Sequence, residues 1–415
     1  MSQQQQFHSF TLPNGLQVVV QTMTGVQSAA MALTIPAGSV YDRPGKSGTA
    51  QILSEMFLRG AGDMDARQLS AAMDNVGLQR NVSGGVGYIS FAAATTADRL
   101  SQAVPLIAAM VQQPHLEERQ FVPARELVHQ SLNAIEDEPR QRLGNYLRQC
   151  AYHAPWSNPA EGSLQDLPKI SPSDVQQHYR ETILPNHAAI GVAGNVDAAE
   201  WEDLLTRAFA DWQPGTAPEL VTGDRHPSPF HVEHDSVQTH IGLGWIAVPY
   251  RHPRYYANWA AMDLLGGGMS SRLFTEVREK RGLCYAVSAS INTQRDQARA
   301  FGYAGTTNDR AQETLEVMVA EIRRLHEGIS VEELDRCKAR AKSALIMQQE
   351  STMSRAGCIA RDILHLGRVT ELHQVRAEID RLTPDSVRAF LLDFPPDWIC
   401  LATIGPEPLN TESLP

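Results

Sequence analysis

The two halves of the chain carry matching landmarks in the same order, at an offset close to half of its 415 residues. An apolar, strand-like run that begins at 26–28 (VQS) corresponds to one that begins at 237–239 (VQT). Each half also closes on a strand-like run that ends in glycine, and these glycines, Gly194 and Gly405, are 211 positions apart. An internal repeat of this length predicts a duplicated unit and therefore two domains of one fold.

The repeat also includes a pair of helix starts, at 170–175 (ISPSDV) and 382–387 (LTPDSV). Ser171 and Thr383 are suitable N-caps, and each is followed by a proline at the first helical position. Elsewhere, strand-like runs (16–23, 29–37, 87–96) are mixed with helical stretches (97–113, 118–150). This order predicts an α+β fold, with two homologous domains that each pack an antiparallel-rich sheet against helices.

A stretch rich in proline, glycine and threonine divides the two repeats. Residues 213–229 have this composition and read as a linker. We therefore predict an N-terminal domain over 1–212 and a C-terminal domain over 230–415.

The composition restricts the partners. A net charge of −11 argues against nucleic acid, whose phosphates require a basic surface. No run of about 18 apolar residues occurs, so no membrane helix is expected. The first residues lack a basic start followed by an apolar run, which predicts no signal peptide and a cytoplasmic location.

The segment 45–62 contains a helix-like motif, GTAQILSEM, at 48–56. It resembles the metal-binding helix of the pitrilysin/insulinase-type metallopeptidases, a family that includes the mitochondrial processing peptidase. In active members, His-x-x-Glu-His follows a Gly-x-Ala. Here the two histidine positions are Gln51 and Glu55, and the position of the catalytic glutamate is Ser54. The register of the family's third ligand, a glutamate on a later helix, falls on Ser131.

These replacements remove the chemistry of the motif. Two imidazoles at i and i+4 lie on one helix face and can hold a single Zn²⁺, while the glutamate deprotonates the metal-bound water. Gln51 offers a neutral amide, Ser54 is no base at neutral pH, and Glu55 supplies one oxygen ligand. The resemblance implies a degenerate N-terminal domain without zinc. The alternative is an ordinary amphipathic helix that never bound a metal.

The second half contains the strongest match to the same family, GGGMSSRLFTEVREKRGLCY at 266–285. It resembles the family's substrate-holding segment, whose arginine and tyrosine correspond here to Arg278 and Tyr285. A guanidinium offers fixed donors to peptide carbonyls, and a phenol can donate to a developing oxyanion. The alternative is a surface ion pair of Arg278 with Glu276 or Glu279, and a Tyr285 that fills the core.

The loss of the zinc positions and the retention of the Arg278/Tyr285 pair resemble the non-catalytic subunit of a heterodimeric zinc peptidase. The resemblance implies that the chain is inactive alone, binds no cofactor, and binds peptide together with a sibling subunit that has an intact His-x-x-Glu-His and carries the zinc. Two alternatives remain open. One is a structural or assembly subunit without a catalytic share, like the core subunits of the respiratory complex. The other is a self-sufficient enzyme with an unrecognised site that includes Glu55.

Overall fold

The computed structural model describes residues 5–414, and within them regular structure alternates between strands and helices. The strands are β1 (Gln6–Thr11), β2 (Gln17–Thr22), β3 (Ser28–Ile35), β4 (Gly60–Ala61), β5 (Met64–Asp65), β6 (Gln79–Gly84), β7 (Ile89–Thr96), β8 (Ala189–Gly194), β9 (Phe230–Glu233), β10 (Gln238–Ala247), β11 (Cys284–Thr293), β12 (Ala298–Thr307) and β13 (Ile399–Gly405). The α-helices are α1 (Thr49–Met56), α2 (Ala66–Asn75), α3 (Leu100–Gln112), α4 (Glu118–Glu136), α5 (Pro139–Ala151), α6 (Pro172–Thr182), α7 (Ala198–Ala208), α8 (Tyr255–Gly266), α9 (Ala311–Arg323), α10 (Val331–Gln349), α11 (Thr352–Leu366), α12 (Leu372–Arg381) and α13 (Pro384–Asp393).

Five strands of the first sheet follow the same order as the five strands of the second, which confirms the predicted duplication of an α+β unit; β1 is an extra edge strand of the first sheet. The first sheet runs β1-β2-β8-β3-β7-β6, and the second runs β9-β13-β10-β12-β11. β2 lies parallel to β8, as β9 lies parallel to β13. The remaining pairs in both sheets are antiparallel. Both sheets are therefore antiparallel-rich, with one parallel pair at the equivalent place.

Each sheet belongs to one compact unit, and neither unit is a continuous stretch of chain. Unit 1 comprises Met1–Ala134, Asn158–Val221 and Ile346–Glu371. Unit 2 comprises Ile135–Ser157, Thr222–Leu345 and Leu372–Pro415. The division at 221/222 lies inside the predicted linker, but the segments 135–157 and 346–371 are exchanged between the halves. The contiguous ranges 1–212 and 230–415 therefore differ from the observed units.

The exchanged segments carry one helix each, and that helix covers a sheet. α11 packs on β8 and β3 in unit 1, and α5 packs on β10 and β13 in unit 2. Glycines on the covered strands permit the close approach: a Cβ on Gly191 would lie 2.2 Å from the carbonyl oxygen of Ala356, and one on Gly242 would lie 3.2 Å from a methyl group of Leu147. Packing between residues far apart in the chain decides this arrangement, and local sequence patterns do not predict it.

Unit 1 also holds α11 by a buried polar contact. The Arg355 guanidinium donates from Nε and Nη2 to Oε1 of Gln21 on β2, over 2.9 and 2.7 Å. Both side chains are buried. A buried Gln21 acceptor without a donor would lower the stability of the fold. This contact therefore favours one position of α11 on the sheet, in addition to the apolar packing.

Several local predictions are confirmed. Ser171 and Thr383 are N-caps of α6 and α13, each in a capping box with proline in the first turn. The predicted helical stretch 118–150 is two helices, because α4 ends at Glu136 and Pro139 begins α5. Along residues 5–414, no helix combines the length and the apolar character that crossing a membrane requires.

Candidate functional site

The helix that matches the family's metal motif is α1, and its N-terminus is held by a buried carboxyl group. Gly48 precedes the helix with a φ of +113°, a conformation that favours glycine. Asp42 accepts hydrogen bonds from the backbone N–H groups of Gly48 and Ala50, over 2.8 and 2.9 Å. α1 therefore begins at a fixed place although its chemical residues differ from those of the active motif.

The four degenerate positions do not form a zinc site. The Ser54 hydroxyl is buried and donates to the carbonyl oxygen of Ala50 over 2.9 Å. Ser131 is exposed and donates to Leu127 within α4. Gln51 is a neutral amide, so Glu55 is the one carboxylate of the set. A zinc ion takes thiolate, imidazole and carboxylate ligands in a tetrahedral set, and these four side chains do not fit that requirement.

The space beside Gln51 and Ser54 is limited by β6. A Cβ built on Gly84 would lie 2.7 Å from Oε1 of Gln51 and 3.0 Å from Oγ of Ser54. Within residues 5–414, moreover, no group of three or more His, Cys, Asp or Glu side chains is placed to hold a metal ion.

A pair of buried titratable groups lies behind α1, and the sequence analysis missed it. His178 Nδ1 is 3.7 Å from Oδ1 of Asp42, and His178 Nε2 contacts the carbonyl oxygen of Ala37 at 2.8 Å. Burial raises the pKa of Asp42 to about 7 and lowers the pKa of His178 to about 4. Asp42 is not the residue directly before α1, so the preference for certain N-cap residues does not identify it. His178 is a lone histidine on α6, and the sequence gives no reason to pair it with Asp42.

Arg278 projects from a π-helical turn over Phe274–Glu279 and is exposed. Its guanidinium carbon lies 4.8 Å from the centre of the Phe274 ring. Glu276 is already paired with Lys280 and Arg281, over 2.6 and 2.8 Å. The Arg278 guanidinium has no hydrogen bond or ion pair with any other described residue, so the alternative of a surface ion pair with Glu276 or Glu279 is wrong.

Tyr285 follows that turn by way of Gly282, whose φ of +61° ends the helix. The register of β11 against β12 shifts between Cys284 and Ala286, so Tyr285 is the extra residue of a β-bulge. Bulges re-aim side chains, and here 78% of Tyr285 is exposed. The alternative of a core-filling tyrosine is therefore wrong.

Arg278 and Tyr285 thus lie on either side of one short turn, and both offer unused hydrogen-bond donors to solvent. A guanidinium has five N–H donors and a phenol has one hydroxyl. These groups can bind a peptide backbone or an oxyanion.

Two family models match the chain. The model described as insulinase (peptidase family M16) covers residues 17–163, and the model described as peptidase M16 inactive domain covers residues 169–341. Together they span well over half of the chain.

Relatives and solved structures agree with these matches. A zinc protease of Bacillus subtilis (strain 168) is 26% identical over 403 residues, which are 96% of this chain and 98% of the relative. A zinc protease of Mycobacterium tuberculosis (strain H37Rv) is 28% identical over 391 residues, which are 91% of this chain and 88% of the relative. Both are named as uncharacterized.

Among solved structures, a peptidase M16 inactive domain from Pseudomonas fluorescens superposes with a TM-score of 0.89 at 18% identity, over 98% of this chain and 99% of that one. A chain of complex III from Candida albicans gives 0.84 at 18% identity, over 96% and 95%. At such identities the likeness shows the fold alone. From the two family models and this whole-chain fold, the chain belongs to the pitrilysin/insulinase (M16) family, as a two-domain member of the inactive type.

Proposed function

We propose that this non-catalytic, peptidase-like chain is one subunit of a heterodimeric zinc peptidase. Its partner is a sibling chain with an intact His-x-x-Glu-His that carries the zinc. In this proposal Arg278 and Tyr285 bind the peptide substrate and complete the partner's active site.

The observation that carries the proposal is the state of the pair. Both side chains are exposed, and among residues 5–414 neither has a hydrogen-bond partner for its polar group. The two structural alternatives, a surface ion pair of Arg278 and a core-filling Tyr285, would leave these donors paired or buried. Donors that are positioned by a helical turn and a β-bulge, and have no partner in the described part of the chain, are suited to a ligand from outside it.

The two residues have different roles in this proposal. The Tyr285 hydroxyl donates to the oxygen that becomes negative when water attacks the peptide, so its contribution is largest in the transition state. The Arg278 guanidinium binds peptide carbonyls in the ground state as well as in the transition state. The water and its activation belong to the partner subunit.

The first prediction concerns these roles. In the reconstituted complex, Tyr285→Phe lowers kcat by up to about 10²–10³-fold, the usual effect of losing one oxyanion donor. Arg278→Ala raises KM along with any fall in kcat, because it removes ground-state binding. Steady-state peptide cleavage by the mixed subunits measures both effects. The proposal also predicts that this chain alone binds no zinc, so metal analysis of the isolated chain is expected to give well under one equivalent.

Controls separate this role from a structural one. Arg281→Ala, in the same turn, breaks an ion pair with Glu276 and is expected to leave the kinetics near wild type. Because Tyr285 is exposed, Tyr285→Phe is expected to leave the melting temperature unchanged. If the partner is as active alone as in the mixture, or if both variants match wild type, the chain is a structural or assembly subunit instead.

A further inference from the structure

Unit 2 contains a cavity of about 400 Å³, and none of its lining residues belongs to the segment 266–285. Its polar lining includes two arginines, Arg225 and Arg299. Its apolar lining consists of Ile246, Phe394, Pro395 and Trp398. The volume is at the lower end of the range of about 300–1,000 Å³ typical of ligand pockets.

Both guanidiniums are held in place without a carboxylate. The carbon of the Arg225 guanidinium stacks 4.0 Å from the centre of the Trp398 ring. Arg299 donates from Nε to the carbonyl oxygen of Ala151 over 2.8 Å and from Nη1 to that of Ala298 over 2.7 Å. Among the residues that the structure describes, neither arginine forms an ion pair, and Nη2 of Arg299 has no hydrogen-bond partner.

The two positive charges influence each other. Burial lowers the pKa of Arg299, and the nearby charge of Arg225 lowers it further. Two guanidiniums that line one cavity and form no ion pair within residues 5–414 offer a site for an anion, and a carboxylate matches their planar donors best.

The rest of the lining restricts what carries that carboxylate. Ile246 is 49% exposed, and with Phe394 and Pro395 it offers an apolar surface beside the arginines. Asp393 is occupied by an ion pair with Arg254, whereas Asp397 is exposed and unpaired within the described chain. Asp397 can accept a hydrogen bond from an N–H group, and it would repel a second carboxylate.

One residue at the end of a peptide carries all three matching groups: a carboxylate, an apolar side chain and a backbone N–H. We propose that this cavity binds the C-terminal carboxylate of a peptide that ends in an apolar residue. Asp397 and Ile246 are exposed, so in this proposal the preceding residues of the peptide extend past them into solvent. The inference does not depend on the zinc-bearing partner or on Arg278 and Tyr285.

The second prediction tests this site with the full chain alone, by calorimetric titration in a buffer free of carboxylates and phosphate. An acetylated tripeptide that ends in leucine is expected to bind, and the same peptide with a C-terminal amide is expected to bind at least about tenfold more weakly. Arg225→Gln is expected to weaken binding of the acid by about tenfold or more, because it removes charge-assisted hydrogen bonds. Arg323→Gln, an equal change of charge at an exposed position of α9, is the matched control and keeps wild-type affinity.

Three outcomes would overturn the proposal: equal binding of acid and amide, no binding of the acid, or wild-type affinity in a folded Arg225→Gln variant. If acetyl-leucine binds as tightly as the tripeptide, the cavity recognises a small carboxylate and not the end of a peptide. Melting curves of both variants confirm that the proteins compared are folded. Since no partner is present, failure here leaves the proposed function untouched.

Discussion

At the scale of single residues, Asp42 and His178 show how two buried groups can hide each other's pH dependence. Asp42 binds its proton more tightly in the native state than when unfolded, so its contribution to stability falls as pH rises from about 4 to about 7. His178 binds its proton less tightly in the native state, so its contribution rises with pH from about 4 to about 6.5. In the shared window the two slopes oppose each other.

The third prediction separates them. In Asp42→Asn the histidine acts alone, and the free energy of unfolding rises between pH 4 and 6.5 with a slope of up to about 1.4 kcal/mol per pH unit. In His178→Gln the carboxyl acts alone, and stability falls over about pH 4 to 7. Urea unfolding followed by circular dichroism at several pH values measures the slopes, relative to wild type, where this pair gives little net slope. Equal pH profiles in all three proteins would contradict the assignment.

At the scale of elements, the small residues on the covered strands decide where the exchanged helices lie. Gly191 on β8 contacts the backbone of α11, where the carbonyl oxygen of Ala356 leaves no space for a side chain. The covering face of α11 is apolar and includes the buried residues Ala356, Ile359, Ala360 and Ile363. α11 can approach the sheet this closely only because Gly191 has no Cβ at the point of contact.

The fourth prediction compares a glycine at that contact with a glycine of α11 that lies away from it. Gly191→Ala forces α11 away from β8 and costs about 1–3 kcal/mol, the usual price of overpacking a core. Gly357→Ala, on α11 itself, meets nothing within 4 Å and is expected to stabilise by about 0.5–1 kcal/mol through helix propensity. Chemical unfolding measures both changes, and a Gly191→Ala protein as stable as wild type would show that the helix can shift without cost.

At the scale of the whole molecule, the reciprocal exchange makes each unit depend on the other half of the chain. The first half lacks α11, which covers buried positions such as Val19, Ala30 and Ala189 in unit 1. The second half lacks α5, which packs with Cys400, Ala402 and Ile404 in unit 2. A cut in the stretch 213–229 therefore leaves each sheet and its covering helix on different fragments, although it breaks no strand or helix.

The fifth prediction follows from this dependence. The fragment 1–212 expressed alone is expected to lack a cooperative unfolding transition and to bind a hydrophobic dye, because its sheet face stays uncovered. Co-expression with 213–415 restores a folded complex, and a full chain nicked by protease within 213–229 stays folded. Native-like melting of 1–212 alone would show that α11 is dispensable for unit 1.

The sequence by itself determined the family, the duplication, the α+β class, the helix starts at Ser171 and Thr383, and the positions of Arg278 and Tyr285 within a familiar segment. These features are encoded in short motifs and in periodic patterns that neighbouring residues share. Only the tertiary structure decided the exchange of α5 and α11, the pairing of Asp42 with His178, and the cavity at Arg225 and Arg299, because each depends on residues far apart in the chain. It also decided that Arg278 and Tyr285 are exposed and have no partner for their polar groups among residues 5–414, because burial is a property of packing and not of spacing.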